Sequence, residues 1–213
     1  MYPKIVQKLI DLFSKFPGVG PRTAARFVFY LLEQKNSDIE DLSKAISQLK
    51  KALRICQFCF KWFDPSFAKA SEGKWLLCEI CSDRTRNRNL LCIIEKQTDL
   101  VSIENNKIYK GLYFILGGTV NSLKKQALEK LRLNGLVQRI QNPEKFGISN
   151  ADFQEIIIAT NPTVEGEATA LLLERKLKPL NKKITRLGRG LPTGGELEYA
   201  DKETMLSAFK GRK

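Results

Sequence analysis

Residues 155–168 read Glu-Ile-Ile-Ile-Ala-Thr-Asn-Pro-Thr-Val-Glu-Gly-Glu-Ala. The first five are a short run rich in β-branched residues, which suits a buried strand. A loop follows, and from Gly166 to Lys176 the spacing is helical. Strand, loop and helix in that order form one repeat of an α/β fold, and the alternation extends to both sides. Upstream, Leu91–Ile94 and Leu112–Leu116 are apolar runs of strand type, the second ended by Gly117-Gly118. Helices are expected over Thr98–Glu104 and between about Lys124 and Ile140. Downstream, Lys183–Leu187 reads as a fourth strand. This order predicts a parallel sheet covered on both faces, with functional groups at the carboxyl ends of its strands. Acidic residues stand at two such ends: Glu95 after Ile94, and Glu165 with Glu167 after Ala159.

The N-terminal residues follow a different pattern. Ile5, Val6, Leu9, Ile10, Leu12, Phe13 and Phe16 stripe an amphipathic helix over Tyr2–Phe16, expected to end at Pro17. Pro17-Gly18-Val19-Gly20-Pro21 then makes a tight turn, and Pro21 suits the first turn of a second helix running to about Glu33. Ser37 and Glu40 read as a capping box for a third helix striped by Ile39, Leu42, Ile46, Leu49 and Leu53. Glycines at a helix N-terminus expose backbone N–H groups to a phosphate oxygen and let a nucleic-acid backbone approach. Arg22 and Arg26, four apart, share one face of the second helix, in reach of adjacent phosphates. The other reading is a plain helical hairpin with Gly in its turn.

Between these parts, Cys56-Gln57-Phe58-Cys59 is followed after 18 residues by Cys78-Glu79-Ile80-Cys81. Two Cys-x₂-Cys pairs at such spacing are zinc-site arithmetic: each turn aims two thiolates at one tetrahedral ion. A closed shell of four thiolates is structural and leaves no position for a substrate. A redox dithiol pair is the competing reading. Cys92, in an apolar run, reads as a core residue. Trp62, Phe63, Phe67 and Trp75, interleaved with Lys61, Lys69 and Lys74, could stack on bases or pack against the metal knuckles. Arg84, Arg86 and Arg88, at alternate positions, read as an extended basic linker and a further candidate phosphate contact.

Composition narrows the chemistry. The 213 residues include no histidine, which removes Ser-His-Asp and Cys-His nucleophiles and every histidine metal site. Lys and Arg number 36 against 23 Asp and Glu, a net charge of +13 that suggests a polyanionic partner. The charge is uneven: +5 over residues 1–54, +2 over 55–90, 0 over 91–170 and +6 over 171–213. Such asymmetry favours a localised anion-binding face. No apolar run approaches membrane-spanning length, and the start does not read as a signal peptide, so a cytoplasmic protein is expected. Gly188, Gly190, Gly194 and Gly195 with Pro192 tether a short helix over Asp201–Lys210, which could swap into a neighbour or pack on its own domain.

The helix–Gly-Val-Gly–helix unit resembles the helix-hairpin-helix family of DNA-binding modules. The α/β part resembles the Toprim domain of type IA topoisomerases, bacterial primases and some small nucleases. Catalytic Toprim members carry a Glu after the first strand, here Glu95, and an Asp-x-Asp that holds Mg²⁺, whose slots here hold Asn161 and Thr163. Neutral ligands hold a hard cation much less strongly than two carboxylates, so phosphodiester chemistry would lose its metal clamp. Hairpin, four cysteines, Toprim domain and Gly-rich basic tail together resemble the RecR family of bacterial recombination proteins. The resemblance spans nearly the whole chain and is most specific at Phe16–Arg26, the cysteines, Ala159–Ala170 and Arg186–Leu197. The Cys59–Cys78 spacer is longer than the family's.

That resemblance implies four parts: a helix-hairpin-helix domain over residues 1–54, a Cys₄ zinc finger over 55–88, a Toprim α/β domain over 89–178, and a C-terminal basic tail and helix over 179–213. It implies one structural Zn²⁺ per chain on Cys56, Cys59, Cys78 and Cys81. It implies sequence-independent DNA contact through Gly18, Gly20, Arg22 and Arg26, and a partner face at Glu95, Asn161, Glu165 and Glu167 that meets RecO. It further implies a non-catalytic mediator, a homo-oligomer in ring-tetramer form, associated with the bacterial nucleoid, that works with RecO and RecF to load RecA on gapped, SSB-coated DNA. A Mg²⁺-dependent Toprim nuclease is the alternative, and a scaffold binding an acidic protein is a third reading.

Overall fold

The structure, a computed structural model, describes residues 2–67, 76–120 and 131–211. The chain divides into two units, Met1–Ala52 and Leu53–Lys213. In the first, α1 (Lys4–Phe13) and α2 (Pro21–Leu32) pack through Val6, Ile10, Ala24 and Val28. Helix α1 stops at Phe13, before the expected end at Phe16. The Ser14 hydroxyl donates to the Ile10 carbonyl at 2.8 Å, and the amides of Lys15 and Phe16 bond three residues back, which tightens and closes the last turn ahead of Pro17. Val19 N–H donates to Phe16 O at 3.1 Å across the hairpin, with Gly18 at φ +77°.

Helix α3 (Asn36–Ala52) corrects the reading of its start. Ser37 lies inside the helix, and its hydroxyl donates to Asp38 Oδ1 at 3.1 Å instead of capping. The apolar stripe of Ile39, Leu42, Ile46 and Leu49 is present, but it is exposed, and α3 buries no residue.

The second unit opens with a two-stranded antiparallel ribbon, β1 (Arg54–Ile55) and β2 (Trp62–Phe63), followed by the short α4 (Glu79–Ser82). Then come β3 (Asn87–Ile94), α5 (Gln97–Asn105), β4 (Gly111–Ile115), α6 (Leu133–Gln141), β5 (Glu155–Ala159), α7 (Val164–Leu177), β6 (Lys183–Arg186) and α8 (Lys202–Lys210). The four long strands form one sheet of order β4-β3-β5-β6, every pairing parallel. The apolar runs that identified β3 and β4 lie where the sheet is most covered: Leu91–Ile94 and all of β4 are buried. Cys92 pairs in register with Tyr113 and is a core residue, as its surroundings suggested.

The helix expected from about Lys124 to Ile140 is not continuous within the described residues. Its first part, 124–130, lies outside them, and α6 begins only at Leu133. Arg132 is pinned to the end of β4: its amide donates to Leu116 O at 3.1 Å and its guanidinium to Ile115 O at 2.9 Å. Those bonds hold the backbone off the helical path. Asp201 caps α8 by accepting from the amides of Glu203 and Thr204, and the helix buries no residue.

Candidate functional sites

The two Cys-x₂-Cys turns converge. Cys56, Cys59, Cys78 and Cys81 are all fully buried, and their sulfurs lie within 4.8 Å of one another. Cys59 Sγ is 3.6 Å from Cys78 Sγ. A tetrahedral ion with bonds of about 2.3 Å sets its ligand sulfurs about 3.8 Å apart, so this donor set fits Zn²⁺. The turn geometry serves the sulfurs: Phe60 takes φ +66°, its amide donates to Cys56 O at 3.0 Å, and the amide of Lys61 points at Cys59 Sγ at 3.5 Å. The second turn is stitched to the first where Gln57 and Leu76 exchange bonds of 3.0 and 2.9 Å. Without a cation the sulfurs compete for charge. Bonds from the other three thiols pull Cys56 far down, while Cys59 is pushed up, chiefly by burial, and Cys81 by bonds from its neighbours. A divalent ion lets all four ionise together.

The four-cysteine centre shares the core of the sheet. Ile115 N–H donates to Cys59 O at 3.0 Å, Phe58 stacks on Phe153, and Gln97 bonds both the N–H and the C=O of Trp62. Phe63 is buried against the knuckle and Trp62 is half exposed. Trp75, Lys69 and Lys74 lie outside the described residues, as does the Phe67 side chain. Arg86 is no phosphate ligand in waiting: it is committed to both carboxylate oxygens of Glu104 and to the carbonyls of Tyr109 and Gly111. Arg84 stays exposed.

Two arginines that sequence reasoning missed stand behind the first cysteine turn. Arg139, on α6, is 7% exposed; its Nε and Nη2 donate to Gln57 O at 3.1 and 2.5 Å. The guanidinium groups of Arg139 and Arg132 both lie over the Phe60 ring, 4.3 and 4.4 Å from its centroid. Burial lowers Arg139 to about 10, opposed by Cys56 and Cys59. From sequence these arginines read as the polar face of an ordinary helix.

At the carboxyl edge of the sheet, Ile94 pairs with Ala159, so Glu95 and the Thr160-Asn161 turn leave the sheet side by side. Glu95 is 3% exposed, and its two oxygens accept from Asn161 N (2.7 Å) and Asn161 Nδ2 (2.8 Å). Gly166 allows this closure: a Cβ there would lie 2.0 Å from Asn161 O and 3.1 Å from Glu95 Oε1. Thr163 caps α7, its hydroxyl accepting from Gly166 N at 3.1 Å. So the residues in the two Asp slots are engaged, one clamping Glu95 and the other starting the helix. Glu165 is exposed in the first turn of α7. Glu167 pairs with Arg189 and, at 3.0 Å, with Arg186; the bond from Arg189 chiefly holds its carboxyl below the usual range. Among the described residues, the only group of three or more Cys, Asp or Glu side chains placed to share an ion is the four-cysteine one.

In the hairpin Gly18, Gly20, Arg22 and Arg26 are all exposed. Gly18 needs its left-handed φ, but Gly20 does not: it caps α2 in extended conformation, φ −85°, and a Cβ there would meet nothing within 4 Å. Neither arginine is in an ion pair among the described residues. Among the described residues, no helix is long and apolar enough to cross a membrane.

Three family models match the chain. The one described as RecR, helix-hairpin-helix covers residues 6–50; the Toprim domain covers 89–188; and RecR, C-terminal covers 190–213. The cysteine centre lies between the first two matches and stands on its geometry.

Proposed function

The chain belongs to the RecR family, and we propose that it works as a DNA-binding recombination mediator of DNA repair. On this reading it acts with RecO and RecF to load RecA at gapped or SSB-coated DNA, in the bacterial cytoplasm at the nucleoid, and catalyses no reaction of its own. Phosphates meet the backbone amides near Gly18 and Gly20 and the guanidinium groups of Arg22 and Arg26, whose exposure and lack of ion pairs among the described residues support the role. Such contacts carry no base information, so binding is independent of sequence. Cys56, Cys59, Cys78 and Cys81 hold one structural Zn²⁺. The face for RecO is offered by Glu165, Asn161 and Glu167, with Glu95 too buried to touch a partner and acting by holding Asn161. A ring tetramer closes through two kinds of contact, and two exposed apolar surfaces suit it: the α3 stripe in the first unit, and Leu197 with Leu206 in the tail.

The observation that carries the non-catalytic reading is the Glu95–Asn161 clamp. A Toprim nuclease needs its glutamate and two aspartates converging on Mg²⁺. Here the backbone N–H and the side-chain amide of Asn161 each donate to one of the glutamate's oxygens. The test is incubation of the protein with labelled DNA and RNA in Mg²⁺ or Mn²⁺. No cleavage above background is expected; robust Mg²⁺-dependent cleavage, abolished by Glu95→Gln, would establish the nuclease in its place.

A further inference from the structure

Four thiolates around a divalent ion leave a net charge of −2, and here every sulfur is fully buried. Buried net charge is costly unless an opposite charge sits beside it. The converse problem stands next door. Arg139 is nearly as buried, and all its hydrogen bonds end on backbone carbonyls: Gln57 O twice and Gly135 O at 3.0 Å. Arg132 likewise bonds a carbonyl, Ile115 O. Among the described residues neither arginine is paired with a carboxylate, in a chain where Arg86, Arg186 and Arg189 all are. Cys56 and Cys59 are the anionic neighbours that act on Arg139, and Cys59 acts on Arg132. Gln57 sits inside the first Cys-x₂-Cys turn, and Phe60 immediately follows Cys59, so both contacts reach the ligand loop itself.

We infer that Arg139, assisted by Arg132, is the counter-charge of the tetrathiolate centre and the positioning residue through which α6 holds the first cysteine turn closed on its ion. This rests on the metal reading of the four cysteines. A counter-charge role accounts for two cations gathered at one aromatic ring with no carboxylate partner among the described residues. It also ties the metal to the sheet: the same guanidinium that balances the thiolates is anchored on a helix of the α/β unit, so loss of the ion leaves that helix with an unbalanced buried charge.

The experiment uses the full-length, zinc-loaded protein. Metal content is measured first, then the rate of zinc transfer to a chromogenic chelator, for wild type, Arg139→Met and Arg139→Lys. Arg139→Met keeps volume and loses charge, and is expected to lose zinc about 10–100-fold faster, as removal of an outer-shell partner does. Arg139→Lys keeps the charge without the fork, and is expected to restore retention to within about threefold of wild type. Equal, fast loss from both variants would make Arg139 a packing residue and overturn the inference, and so would unchanged retention in Arg139→Met. Should Arg139→Met fail to fold, Arg132→Met and Arg132→Lys are read by the same criteria. Absence of metal from the wild-type protein would instead refute the metal reading beneath the inference, which separates the two failures.

Discussion

The two ends of the chain carry nearly the same charge, +5 over residues 1–54 and +6 over 171–213, and arrange it in opposite ways. In the hairpin Arg22 and Arg26 stand exposed one turn apart on α2, outside any ion pair among the described residues. Over 171–213 four cations are tied to carboxylates: Lys182 meets Asp152 at 2.7 Å, Lys183 meets Glu155 at 3.1 Å, Arg186 meets Glu167 and Glu174, and Arg189 meets Glu167. Net charge sets the potential an approaching polyanion feels from afar. Contact is a different matter, because a cation already bonded to a carboxylate must release it to take a phosphate. The hairpin therefore presents Arg22 and Arg26 ready for contact, while Lys182, Lys183, Arg186 and Arg189 brace the second unit.

The largest effect expected from this contrast is at the hairpin. Each charge-assisted phosphate contact is worth about 1.5–3 kcal/mol, so Arg22→Glu with Arg26→Glu should weaken DNA binding about a hundredfold or more. The slope of log K against log salt should become shallower by about 2, with thermal stability little changed. Fluorescence anisotropy at two salt concentrations reads both; unaltered affinity would break the comparison outright. The opposite extreme is Arg86–Glu104, a cation wholly turned inward. Burial pushes Glu104 up, but the bonds from Arg86 and Tyr113 outweigh it, and its pKa falls below 4.5. A depressed carboxylate contributes its stability above the unfolded pKa and loses it as pH falls through the folded one. Glu104→Gln should thus cost about 2 kcal/mol at neutral pH. The urea-unfolding curves of mutant and wild type should converge as pH drops below the ordinary glutamate range. Smaller still is the pair of glycine substitutions. Gly18→Ala forces φ +77° on an alanine and should cost about 1 kcal/mol. Gly20→Ala meets open space and should leave stability within about 0.5 kcal/mol. Severalfold weaker DNA binding in Gly20→Ala alone would mark close backbone approach at the cap.

What could be read beforehand follows the physics of range. The strands, the hairpin and the metal ligands are written locally: β-branched runs, a Gly-Val-Gly turn and two Cys-x₂-Cys pairs each declare themselves within a few residues. Spacing also placed Glu95 and Asn161 just past the ends of two strands. That they bond depends on Ile94 pairing with Ala159, a register no local pattern states. Helix ends were misjudged where one side chain decides them, as with the hydroxyls of Ser14 and Ser37. Arg139 was invisible because its target, Gln57 O, lies 82 residues away and is a backbone atom. The pairing of Glu167 with Arg189, 22 residues apart across the rest of α7 and β6, was equally hidden, so Arg189 looked available when it was not.

That last pair offers the finest test of the comparison. Glu167 is about one-third exposed and touches two arginines, Arg186 at 27% and Arg189 at 40% side-chain exposure. Exposed pairs of this kind contribute about 1 kcal/mol or less, so Glu167→Gln should barely shift the unfolding midpoint. It removes one negative charge and weakens the hold on two cations, leaving Arg186 only its bond to Glu174 at 2.7 Å. If Glu167 keeps Arg186 and Arg189 from DNA, the freed arginines should raise DNA affinity about two- to threefold and steepen its salt dependence by at most about 1. Should affinity fall instead, Glu167 would be orienting those arginines toward DNA, and the tail would belong with the hairpin as a binding surface. Repeating the measurement in the Arg22→Glu, Arg26→Glu background separates the two cases: a gain that survives there comes from the tail alone, and one that vanishes acts only through the hairpin.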